Sequence, residues 1–216
     1  MGTVTILGWV AAVVGVSIGL PQTVRLLRTR DVSGLSVPGL QAVLVINLAW
    51  AIHGFRVAQV NMVTVNIICL GTTLLILGLV ARELGLSLAR LSVPSVAGAA
   101  VMVAVDVAFG AAAFGTVAII PAAIATAAQS LELVRAPRVD GVSPASLVLN
   151  ALNQLLWATW GFLVPEPGTI VSSSVTLAIA TFNLAWWCAR RLGLRSFWTP
   201  TQTELVAAAV PVAPVE

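Results

Sequence analysis

Two short patterns in this chain carry side chains suited to holding a small polar solute. Asn47, Trp50 and Gly54 are separated by three and four residues, so on a helix they share one face. Gln154, Trp157 and Gly161 repeat that spacing. An indole offers a flat, polarisable surface to the C–H face of a sugar ring, and a neighbouring amide exchanges hydrogen bonds with hydroxyls that have left water. The competing reading is a pair of interfacial tryptophans; against it, both lie five or more residues inside charge-free stretches.

Three further polar positions stand out. Asn66 falls in the middle of the charge-free stretch 57–81, where an amide costs free energy unless it faces a bundle interior or a wet cavity. Ser172-Ser173-Ser174 serves equally well as a solute contact or as a helix-packing surface. His53, the sole histidine, reads either as a pH-sensitive group or as a polar residue at a helix end. No paired acids, His-x-x-x-His or Ser/His/Asp set falls within reach, so neither an enzyme nor a cofactor is expected. Cys69 and Cys188 sit in apolar runs without metal-like spacing and read as small buried apolar residues.

The elements that must position these residues follow from composition. Of 216 residues, 59% are apolar and only 9% charged, against roughly a quarter charged in soluble domains. Such a chain cannot solvate a soluble surface, and its partner is the lipid bilayer. Eleven thinly spread basic residues, all arginine, make no basic stripe for nucleic acid. Residues 1–24, 32–55, 57–81, 91–105, 107–131, 141–165 and 167–189 contain no charge, which gives seven candidate spans of an all-α membrane protein. The fourth is short, and a start near Leu86 with Arg90 snorkelling lengthens it. The first lacks the basic start and cleavage site of a signal peptide.

Arg25, Arg28, Arg30, Arg82, Arg90, Arg135, Arg138, Arg190, Arg191 and Arg195 fall on the side reached after spans 1, 3, 5 and 7, and only Arg56 falls opposite. Cytoplasmic loops collect arginine, so the N-terminus is expected outside and the C-terminus in the cytoplasm, in a plasma (inner) membrane. The tail from Ser196 to Glu216 reads as an ordered stub followed by disorder.

The chain also repeats itself. At a shift of 107 residues Gln22 meets Gln129, Leu26 meets Leu133, Arg28 meets Arg135, Gly34 meets Gly141 and Ser36 meets Ser143; Trp50-Ala51 and Gly54-Phe55 meet Trp157-Ala158 and Gly161-Phe162. The period holds four spans, an even number, so the copies are parallel repeats. The expected units are a three-helix repeat over 1–84, a linker helix over 85–107, a second three-helix repeat over 108–192 and a tail over 193–216.

With Pro21-Gln22, Asp31-Val32-Ser33-Gly34-Leu35-Ser36, Leu48-Ala49-Trp50-Ala51-Ile52-His53-Gly54 and Asn66, the chain resembles the SWEET and SemiSWEET sugar transporters of the PQ-loop group over about residues 5–190. The resemblance implies a three-one-three helix plan and a sugar site made of Trp50 and Asn66 in the first repeat and Trp157 and Ser173 in the second, with Asn47 and Gln154 beside them. Ser173 departs from the family's asparagine, so the half-sites differ. Pro21 and Pro38 match two of the family's four hinge prolines, and Gln22 and Gln129 accompany them at the gate. Elementary chemistry leaves Pro38 and Pro144 a second role, starting helices 2 and 6. His53 stands where the family has a tyrosine.

A proton-driven carrier needs a titratable group in its pathway. No repeat window holds Asp or Glu, and Asp106 reads as a turn residue at the outer surface between helices 4 and 5, so facilitated diffusion of a sugar is expected. The alternatives are a vitamin or amino-acid carrier of the PQ-loop group and a non-transporting receptor for cargo or lipid with the same fold. One duplicated chain supplies both halves of a pore, and a homo-oligomer remains compatible with it.

Overall fold

The computed structural model describes residues 2–30, 32, 35–135, 139 and 142–194. Among them the chain forms seven α-helices: α1 (Thr3–Thr29), α2 (Val37–Arg56), α3 (Val60–Glu83), α4 (Leu88–Phe109), α5 (Ala111–Arg135), α6 (Pro144–Leu163) and α7 (Pro167–Arg191). Five of them are long and apolar enough to cross a membrane, or six if α5, bent between 111–126 and 129–135, counts as one span. The remaining helix, α6, is diluted by Asn150, Asn153 and Gln154, which line a cavity inside the bundle. Val13, Ile67, Val101, Val107 and Ile120 are exposed on the outside, an apolar exterior suited to lipid. The fold is that of a multi-pass helical membrane protein.

The helix boundaries carry the 107-residue shift. Moved by that amount, α2 falls on α6 residue for residue, and α1 and α3 fall on α5 and α7 to within a residue. Helix contacts follow the same exchange. α3 packs on both α1 and α2, as α7 packs on both α5 and α6; α1 packs on α6 as α5 packs on α2, while α4 lies against α2, α3 and α5. Local chemistry repeats too: Ser36 caps α2 by accepting from the Gly39 N–H at 3.2 Å, and Ser143 caps α6 by accepting from Ser146 at 3.4 Å. Pro38 and Pro144 sit in the first turns that follow these caps, so they start helices, where proline is tolerated.

Packing defines two ends. At one, Leu44, Leu77, Ala81 and Leu91 cluster from α2, α3 and α4, and Leu133, Val139, Val142 and Leu147 cluster beneath Trp186 and Trp187. Arg28, Arg82, Arg135, Arg190 and Arg191 stand in the last turns of α1, α3, α5 and α7, and Arg90 stands in the first turn of α4. At the other end Ala49, Met102, Phe114 and Ala118 pack from α2, α4 and α5. Lipid supplies no hydrophobic drive between helices, so close approach of small residues matters there. A methyl on Gly8 would overlap the Asn61 amide and the Trp160 indole, and one on Gly115 would overlap the backbone of Gly168.

Several expectations are corrected. Pro21 and Gln22, expected at a hinge and gate, lie inside α1 with both side chains exposed. The linker helix runs to Phe109, past residue 107, and breaks at Gly110, whose φ of 82° places it in the region glycine favours. Asp106 is inside α4 and buried. Cys69 is half-buried and Cys188 exposed, so neither is a core residue. Gly34, Gly141, Arg138, Arg195 and the tail Ser196–Glu216 lie outside the described residues.

Candidate functional site

A cavity of about 280 Å³ lies within the bundle, just below the roughly 300–1,000 Å³ usual for small-molecule pockets. Asn47, Trp50, Asn66, Gln154, Trp157 and Ser173 all line it, so the six solute-binding candidates meet in one place. Pro21, Gln22, Pro38 and Gln129 are not part of its wall. The spacing of Asn150, Asn153, Gln154 and Trp157 on α6 carries these side chains to one face, which is why a helix of mixed composition is held inside the bundle.

The amides are held unequally. Asn47 Nδ2 donates to Thr73 Oγ1 at 3.3 Å, and Gln154 Oε1 accepts from Thr176 Oγ1 at 2.8 Å. Asn66 Nδ2 donates to its own helix, to the Met62 carbonyl at 2.8 Å. Each pairing fixes one end of the amide and leaves polar capacity for a guest. The carbonyl oxygens of Asn153 and Asn183, both from residues on the cavity wall, are buried without a partner. A buried acceptor left unpaired costs about 1–3 kcal/mol, and a hydrogen-bond-donating ligand is one way to recover it. Cys69 joins the wall, but among the described residues no Asp, Glu, Arg or His does. The pocket therefore suits a small neutral solute rich in hydroxyls.

Sequence reasoning missed Asn150, Asn153, Asn183 and Thr176. The first two were visible in principle, since 150, 153, 154 and 157 follow the helical i, i+3, i+4, i+7 pattern. The other two follow the same spacing from the serines already singled out, since 172, 176, 180 and 183 fall on one face of α7.

Beyond Trp50 the structure departs further from expectation. His53, in the last turn of α2, is completely buried. Its ring stacks on Phe114 at 4.3 Å and meets the edge of Trp50 at 5.4 Å. Nδ1 lies 2.8 Å from Asp106 Oδ2 and Nε2 lies 3.2 Å from Glu166 Oε1; Arg56 also pairs with Asp106. Asp106 is 3% exposed and lies within the last turns of α4, so it is a buried helix residue and not the outer turn residue expected. A charge inside a helix divides charge-free windows just as a loop does, and that is how α4 was cut short.

Glu166 caps α7. Its Oε1 accepts from the Gly168 N–H at 2.9 Å and its Oε2 from the Thr169 N–H at 2.6 Å. Burial alone would raise its carboxyl, but the His53 contact and these N–H donors outweigh burial and hold it down at about 2. Thr169 also lines the cavity, so the cap joins the polar cluster to the pocket wall.

Compared with known proteins, no family model, no curated protein and no solved structure matches this chain.

Proposed function

We propose that the protein is a membrane carrier that moves a small sugar down its gradient by alternating access. The observation that carries this reading is the cavity: two tryptophans, several amides and, among the described residues, no charged side chain around about 280 Å³. Indole faces accept the apolar side of a pyranose, and amides satisfy its hydroxyls. An amino acid or a cationic vitamin would bring charges that this wall does not answer.

The carrier consists of two parallel three-helix repeats, α1–α3 and α5–α7, joined by α4. The coincident helix boundaries and the exchanged contacts support this plan. The two repeats rock about the cavity, opening it first to one end and then to the other. Arginine gathers at a single end of the bundle, which supports a cytoplasmic assignment for that end, with the N-terminus outside, in a plasma membrane. Transport is uniport, because the titratable cluster adjoins the cavity without lining it.

Purified protein in liposomes tests the reading with counterflow of radiolabelled glucose, sucrose, cystine and nicotinamide riboside. Saturable glucose counterflow without a pH gradient is expected. Saturable flux of cystine or nicotinamide riboside alone replaces the sugar, and flux of none removes transport.

A further inference from the structure

Both ring nitrogens of His53 face carboxylate oxygens from other elements: Asp106 on α4, and Glu166 at the cap of α7. A neutral imidazole carries one N–H and one lone pair, and the lone pair would point at an anionic oxygen 2.8 or 3.2 Å away. Both contacts become attractive once the site takes one proton, and with Asp106 paired to Arg56 and Glu166 held by backbone N–H groups the imidazole is the group left to carry it. The surrounding charges agree. Two carboxylates and the Arg56 guanidinium leave one negative charge in a buried place, and one added proton brings the formal sum to zero. Phe114 is what α5 packs on the ring, and the first two turns of α3, Val60–Ile67, hold no titratable residue. The Glu166 carboxylate, anchored by two backbone N–H groups, is not the group that takes the proton.

The cluster ties the first three-helix group to α4 and to the second group. It adjoins the cavity at two points, through Trp50 on one side and Thr169 on the other. His53 stands in the last turn of α2 and Glu166 caps α7, so a motion that draws the two halves apart at this end separates His53 from Glu166 and admits water to the ring.

We propose that His53, Asp106, Glu166 and Arg56 form a proton-binding site that latches this end of the carrier. One proton is taken from solution onto the His53 ring as the end closes, and it returns to the same side as the end opens. The proton modulates transport without crossing the membrane. This rests on the carrier reading, but proton binding has its own readout.

A hydrated histidine titrates near roughly 6.5. Above that pH the closed form holds a proton that the open form has released, so raising the pH favours opening by up to about tenfold per unit. Where opening limits flux, acid slows it.

His53 is the only histidine, so protein labelled with ¹⁵N-histidine and purified without a histidine tag reports one imidazole. At pH 7.5 the expected spectrum shows both ring nitrogens protonated; a neutral tautomer overturns the proton site. Glucose counterflow, with equal pH on both faces, should rise with pH in the wild type and be flat in His53→Gln. Glu166→Gln removes one of the two carboxylates that the charged ring bridges, brings the formal sum to zero without the proton, and should also flatten the profile, which covers the case in which His53→Gln does not fold. Identical profiles in wild type and a folded variant overturn the latch. A pH-sensitive dye inside the liposomes should stay constant during sugar entry, and a matching proton influx overturns same-side release. A charged imidazole with no flux of any sugar leaves the proton site standing and removes the carrier reading alone.

Discussion

His53 and Trp160 stand 107 residues apart and close the same end of the bundle, each against the other half of the chain. Trp160 lies against Gly8 and Asn61, while His53 lies against Gly168, the counterpart of Asn61 at that shift; Gly168 in turn meets Gly115, the counterpart of Gly8. One copy closes with a buried indole and the other with a histidine between two carboxylates. The duplication extends to tertiary contacts, and the divergence falls on the residue that plugs each contact.

Gly115→Ala should destabilise the protein more than Gly8→Ala. At Gly115 the added methyl meets the backbone of Gly168, which cannot turn aside, whereas at Gly8 it meets the Asn61 amide and the edge of the Trp160 indole, side chains that can shift more readily than backbone. Overpacking costs about 1–3 kcal/mol. Gly19→Ala meets nothing within 4 Å and should be neutral or mildly stabilising. Thermal midpoints in detergent give the ranking; equal midpoints for Gly115→Ala and Gly19→Ala would contradict the close approach of α5 and α7.

His53→Phe keeps the ring but strands two carboxylates. Removing one partner of a buried ionic group costs roughly 3–5 kcal/mol. Arg56 is 37% exposed, and Arg56→Ala should cost about 1 kcal/mol or less. A larger loss from the Arg56 substitution would mean that the guanidinium, not the imidazole, holds the cluster together.

Acid should remove the Glu166 contribution in a defined window. Its carboxyl sits at about 2 in the fold against an ordinary 4.5. A depressed carboxyl stabilises the fold fully above its unfolded value, and the benefit fades as the pH falls toward the folded one. The midpoint difference between wild type and Glu166→Ala should therefore be constant between about pH 5 and pH 7 and shrink below about pH 4.5. A difference that grows in acid would reverse the sign.

Asn183→Leu separates binding from stability. The Asn183 carbonyl oxygen is buried and unpartnered, a cost of about 1–3 kcal/mol that an apolar side chain of similar size avoids. The empty variant should melt no lower than the wild type, while its KM for sugar rises severalfold. An unchanged KM would take Asn183 out of the site.

Five of the expected spans, or six with the bent α5, are long and apolar enough to cross a membrane, and they were legible because a charge-free run makes an apolar helix; the 107-residue shift reappears in the helix boundaries, as it does in the pairing of Trp50 with Trp157 and Ser36 with Ser143. The cavity wall was legible in part, where helical spacing put Asn47 and Trp50, or Gln154 and Trp157, on one face. The polar cluster was not. His53 meets partners 53 and 113 residues away, and a buried ion pair leaves no periodic trace. The same blindness turned Asp106 into a loop residue, since a charge that ends an apolar window looks alike whether it faces water or a histidine.

Glucose counterflow in liposomes, compared between wild type, Trp50→Ala and Trp157→Ala, tests the central claim most directly. All three proteins should remain monodisperse, since both indoles line the cavity. Wild-type flux should saturate, and each variant should lose at least about tenfold, the cost of one stacking contact of roughly 1.4 kcal/mol. Flux that survives both substitutions unchanged would contradict a sugar site between the two tryptophans.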